Sequence, residues 1–170
     1  MERLTTLSNG APGAALLLGA MVIASLAGLA MPSLIERGVF RPYWLVPRRE
    51  YWTLVSSGFL HADLTHLLFN GFTFWAFAFA LEREIGTESF FGLYFFGLLA
   101  SDAGTWLKHR GDTEYRTLGA SGAILAVLFA SILYFPSGSI FILPIPVPIP
   151  APFLLQLHAG RSSEPAALIT

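Results

Sequence analysis

Long apolar runs alternate with short polar segments along most of this chain, and their lengths predict four membrane-crossing helices. The first run covers residues 14–35 and is dense in Ala, Leu and Gly. It is too long for the apolar core of a signal peptide, and the sequence stays hydrophobic after it, so it reads as a first spanning helix. Further runs cover 56–81, 88–106 and 119–135. Each is near the ~20 residues a helix needs to span hydrocarbon, and the fourth is short. Between them lie a connector from Glu36 to Tyr51, a charged turn at Glu82, Arg83, Glu84 and Gly86, and a polar loop from Leu107 to Leu118. After Gly138 the pattern changes: Pro144, Pro146, Pro148, Pro150 and Pro152 alternate with apolar residues. That density excludes a helix and predicts polyproline II or extended chain. The stretch from Leu154 to Thr170 is too short and too polar to span.

Composition agrees with a lipid environment. Hydrophobic residues make up 54% of the 170 residues and charged residues 12%, with a mean hydropathy of +0.61. Soluble domains are about a quarter charged. The fold class is therefore all-α, a polytopic membrane helical bundle. A net charge of -1 and the absence of cysteine give no reason to expect nucleic acid and exclude disulfides and thiolate chemistry. Nothing in the sequence calls for a metal or cofactor. Arg37, Arg41, Arg48, Arg49, Lys108, Arg110 and Arg116 fall on one side of the membrane, Arg3 and Arg83 on the other. The positive-inside rule would put the first group in the cytoplasm.

Polar groups inside hydrocarbon are costly, so they are candidates for function. The second run contains His61, His66 and Asn70. His66 and Asn70 are four residues apart, on one helical face, with His61 expected about a turn and a half towards the helix start. Taken alone, such a pair is more often an interhelical hydrogen-bond partner than a catalyst. The fourth run opens with Gly119, Ala120, Ser121 and Gly122. Glycines leave a serine hydroxyl unobstructed, and a helix N-terminus offers free N–H groups to a developing oxyanion. Alone, this string reads as packing, with Gly122, Ala126 and Ala130 forming a small-residue face. Together the two motifs say more. The second and fourth helices start from the same side of the membrane, so Ser121, His66 and Asn70 can meet at one depth.

From about Trp52 to Phe135 the chain resembles the rhomboid proteases. His61, His66 and Asn70 match H-x-x-x-x-H-x-x-x-N, and Gly119, Ser121 and Gly122 match G-x-S-G. Glu82 and Gly86 follow the asparagine at the family's spacing, and Trp52 matches a first-loop Trp-Arg pair, although Thr53 stands in place of the arginine. The resemblance implies Ser121 as nucleophile, with His66, Asn70 and the Ser121 N–H binding the oxyanion. His61 and Glu82 would be structural. Substrates would be transmembrane helices cut near the membrane surface, without cofactor or metal, by a multi-pass protein of the cell membrane. In the family the first loop usually lies outside the cytoplasm, opposite to the charge count.

The pattern breaks after the fourth helix. The family's base is a histidine on a sixth helix, yet about four of the usual six helices are present here. The rhomboid-like domain is expected over 1–150 and a tail unlike the family over 151–170. This fits a chain truncated or frame-shifted near Ala151. His158 is the one histidine after Ser121, and nothing in the pattern returns it to the serine. Two readings follow: a rhomboid-like serine endopeptidase, with activity in doubt for want of a base, and a non-catalytic relative that binds transmembrane helices. A transporter fragment would need paired broken helices, which the sequence lacks.

Overall fold

The computed structural model describes residues 10–136 and the strands 139–141 and 148–150. Arg3, the prolines at 144, 146 and 152, and residues 151–170 with His158 lie outside the described residues. The chain divides into two compact units, 1–129 and 130–170.

Helix α1, Pro12–Ala30, opens on a proline at its first turn, where the missing N–H costs nothing. A second proline starts the short α2, Pro32–Gly38. The 14–35 run is thus two helices, broken at Met31 because the following proline disfavours helical backbone there. The connector carries a 3₁₀ turn at Pro42–Trp44, then α3, Thr53–Ser56, and a 3₁₀ turn at Ser57–Phe59. The long α4, Leu64–Ile85, begins only after them.

This corrects the second expected span of 56–81. Asp63 caps α4, its carboxylate accepting the His66 N–H at 2.8 Å, so the helix starts after His61 and not before it. The far end is corrected too. Glu82, Arg83 and Glu84 stay helical because they are good helix formers, and the turn is Gly86 alone, with φ +80°. Helix α5, Thr87–His109, follows immediately. His109 therefore closes a helix and does not sit in a loop; it stacks on Tyr115 at 3.6 Å. Helix α6, Ser121–Tyr134, has 14 residues. At 1.5 Å per residue it is about 21 Å long, shorter than a ~30 Å hydrocarbon core. Among the described residues α1, α4 and α5 are long and apolar enough to cross a membrane.

Buried contacts give the helix directions. Gly13, at the start of α1, meets Glu82 near the end of α4, while Ser25 meets His61 just before α4 begins. α1 and α4 are therefore antiparallel. α5 turns back along α4 at Gly86, with Phe74, Phe90 and Tyr94 clustered between them at ring distances of 5.8–6.2 Å. α6 packs on α5 through glycine. A Cβ on Gly97 would stand 2.5 Å from that of Ala126, and one on Gly122 would stand 2.3 Å from that of Ser101. Only hydrogen fits at either place. α6 is thus antiparallel to α5 and starts at the same end of the bundle as α4. Leu68, Phe69, Phe72 and Trp75 on α4 are exposed, as expected of side chains that face lipid.

In the second unit the proline-rich stretch is extended where it is described. β1, Ser139–Phe141, pairs antiparallel with β2, Pro148–Pro150, placing Ile140 opposite Ile149. Backbone N–H groups alternate sides along a strand, so prolines spaced by two leave one edge without donors.

Candidate active site

His61 precedes α4 and is fully buried. The Ser25 hydroxyl donates to the Phe59 carbonyl at 2.9 Å, so its oxygen accepts from His61 Nδ1 at 2.8 Å. That assigns the proton to Nδ1 and leaves Nε2 bare, to accept from Asn70 Nδ2 at 2.8 Å. Burial pushes the His61 pKa down to about 4, the neighbouring His66 lowers it further, and Asp63 opposes them. A neutral imidazole is the form this network requires. It fixes the Asn70 amide by one hydrogen and leaves the second available.

His66 and Asn70 sit one turn apart on α4, both half-buried. The His66 ring meets His61 edge-to-face at 4.8 Å. Against them lies the backbone of Gly119, with φ +123°. A Cβ there would stand 2.8 Å from His66 Cε1, 3.0 Å from Nε2 and 3.8 Å from Asn70 Nδ2. The left-handed conformation and the missing space both require glycine. The Gly119 N–H donates to the Ser57 carbonyl at 2.9 Å.

Ser121, two residues on, is the first residue of α6 and is exposed. Its hydroxyl makes no hydrogen bond among the described residues. The Ile124 N–H donates to the Ala120 carbonyl at 2.9 Å, so the N–H groups of Ser121, Gly122 and Ala123 precede the helical ladder and stay open. The structure thus brings Gly119, the first residue of the G-x-S-G string, onto the face that carries His66 and Asn70. A cavity of about 440 Å³ opens beside His66, with apolar walls from Ile35, Val39, Ala62 and Leu118.

Glu82 stands apart from this group. Its buried carboxylate accepts the N–H groups of Gly13 at 2.9 Å and Ala14 at 2.6 Å, and the Thr87 hydroxyl at 2.8 Å. It caps α1 from the last turn of α4. Thr53 is buried, its hydroxyl donating to the Glu50 carbonyl, while Trp52 donates from Nε1 to the Arg37 carbonyl at 3.4 Å. Sequence reasoning missed Ser25, the anchor of His61, and Ser57, the anchor of Gly119. Ser25 left a signal, as the one hydroxyl within Pro12–Ala30; Ser57 acts through its backbone and left none.

Comparison with known proteins places these features in a family. A rhomboid-domain family model matches residues 48–161, reaching eleven residues past Pro150. A putative rhomboid protease of Bacillus subtilis, YdcA, is 39% identical over 52% of this chain and 43% of its own length. The mitochondrial Rhomboid protein 1 of Saccharomyces cerevisiae is 28% identical over 69% of this chain and 37% of its own. The human mitochondrial presenilin-associated rhomboid-like protein is 30% identical over 53% and 24%. The chain spans less than half the length of these curated relatives.

Proposed function

The chain belongs to the rhomboid family of integral membrane proteins, and on that premise we propose that it is a serine endopeptidase acting on transmembrane substrates. The observation that supports this reading is the seat of Gly119, two residues before Ser121 in the chain, against His66 and Asn70. In the reaction, Ser121 Oγ attacks the scissile carbonyl carbon while its proton passes to a base. The carbonyl oxygen takes up the negative charge and is held by Asn70 Nδ2, by His66 and by the Ser121 N–H. Collapse of the tetrahedral intermediate breaks the C–N bond, and the departing amine takes the proton. Water then releases the acyl group by the same steps. No metal or cofactor enters.

A hydroxyl at its ordinary pKa is a poor nucleophile and needs a base. His61 is committed to Ser25 and Asn70, and His109 to Tyr115. In this reading the base comes from outside the described residues. A second reading, a non-catalytic rhomboid protein that binds transmembrane helices, is favoured by the unpartnered Ser121 hydroxyl.

One experiment separates them. The chain is reconstituted in vesicles with a fluorogenic transmembrane peptide that carries a photo-crosslinker. Cleavage that vanishes in Ser121→Ala supports the enzyme, and cleavage that persists in that variant contradicts it. Crosslinking without cleavage supports the binding protein.

A further inference from the structure

The loop that delivers Gly119 to the site is held from the side by one carboxylate. Glu36, in the last turns of α2, gives one oxygen to Arg41 of its own connector and the other to Arg116, 80 residues later, at 3.1 Å. Arg116 is followed at once by Thr117, which exchanges both backbone hydrogen bonds with Phe40, at 3.0 and 2.9 Å. Two residues further, Gly119 bonds to Ser57. An isolated two-bond bridge is a short ladder, flanked in the same loop by the Trp44 Nε1–H, which donates to the Thr113 carbonyl at 3.3 Å. The Glu36–Arg116 pair adds a side-chain constraint immediately before the bridge. Both partners also border the cavity beside His66, so the pair joins the end of α2 to the loop before α6 at the wall of the site.

We propose that Glu36 is a positioning residue. Gripping Arg116 against Arg41, it sets the 116–119 segment and, through it, the approach of Gly119 to His66 and Asn70. Its effect on reaction rests on reading Ser121 as the nucleophile; its hold on the loop does not. Glu36 and Arg116 have side chains 56% and 61% exposed, and exposed pairs contribute little to global stability. The effect therefore falls on local opening of the loop and not on unfolding of the bundle.

Amide hydrogen exchange on the full chain in lipid nanodiscs tests this at Thr117 and Gly119, whose N–H groups are the ones the clasp holds. Glu36→Gln is expected to speed exchange there by about three- to fivefold, leaving α4 and α5 unchanged. Arg116→Gln should do the same, and the double variant should add nothing, because both break one contact. The exchanged pair E36R/R116E, which keeps a carboxylate among guanidinium groups, should restore slow exchange. Unchanged exchange in Glu36→Gln, additive effects in the double variant, or failure of the exchanged pair overturns the proposal. A second readout is the rate of fluorophosphonate labelling, which should fall in Glu36→Gln. High salt should bring the unmodified chain down to that rate and leave the variant unmoved. Expected exchange without any labelling sinks the nucleophile and leaves the clasp standing. Labelling with exchange insensitive to Glu36 sinks the clasp alone.

Discussion

Gly119 is the narrowest point of the candidate site, and a single methyl tests it. Gly119→Ala adds a carbon within 2.8 Å of His66 Cε1 at a φ of +123°, where L side chains are strained. Labelling of Ser121 should be lost while the helix content in detergent, read by circular dichroism, stays unchanged. Full labelling in that variant would show that the loop sits elsewhere. His61 gives a second prediction at this scale. Its pKa in the folded chain, about 4, lies below the ordinary 6.5, so the unfolded chain binds the proton more readily. Its contribution is complete above pH 6.5 and is lost as pH falls from 6.5 towards 4, by an amount on the order of 3 kcal/mol. Thermal midpoints across that window should fall in the unmodified chain and fall less in His61→Gln. Equal slopes would remove His61 from the account.

At the scale of elements, apolar run length located α1, α4 and α5, since the runs that hold them are long enough for the bilayer. It could not place their ends. The end signals were present at Asp63, an N-cap residue just before Leu64, and at Gly86, a glycine that alone accepts the turn's positive φ. They were outweighed by hydropathy on one side and by the charge of Glu82, Arg83 and Glu84 on the other. Glu82 shows why charge misleads there. Buried, it satisfies two open N–H groups of α1, a job readable only once α1 and α4 lie side by side. Glu82→Ala leaves those groups unpaired and should destabilise the bundle by about 2–3 kcal/mol, measured by unfolding in mixed micelles. A loss under 0.5 kcal/mol, the range of an ordinary surface substitution, would contradict the capping role.

For the whole molecule, motif order and spacing single out the candidate residues, and of these the fold brings Gly119 against His66 and Asn70. Helix parity places the starts of α4 and α6 at one end of the bundle, and the Gly119 contact bears this out. Their supports were not legible, because Ser25 and Ser57 act across the fold at separations no periodicity encodes. The account as a whole stands on Ser121 being a hydroxyl served by Asn70 and His66. The most direct measurement is fluorophosphonate modification of the reconstituted chain, mapped by mass spectrometry. The modified residue should be Ser121, modification should disappear in Ser121→Ala, and Asn70→Ala should slow it by about 10²-fold, as for loss of an oxyanion donor. Modification that maps to another residue, or an Asn70→Ala rate equal to that of the unmodified chain, would contradict it.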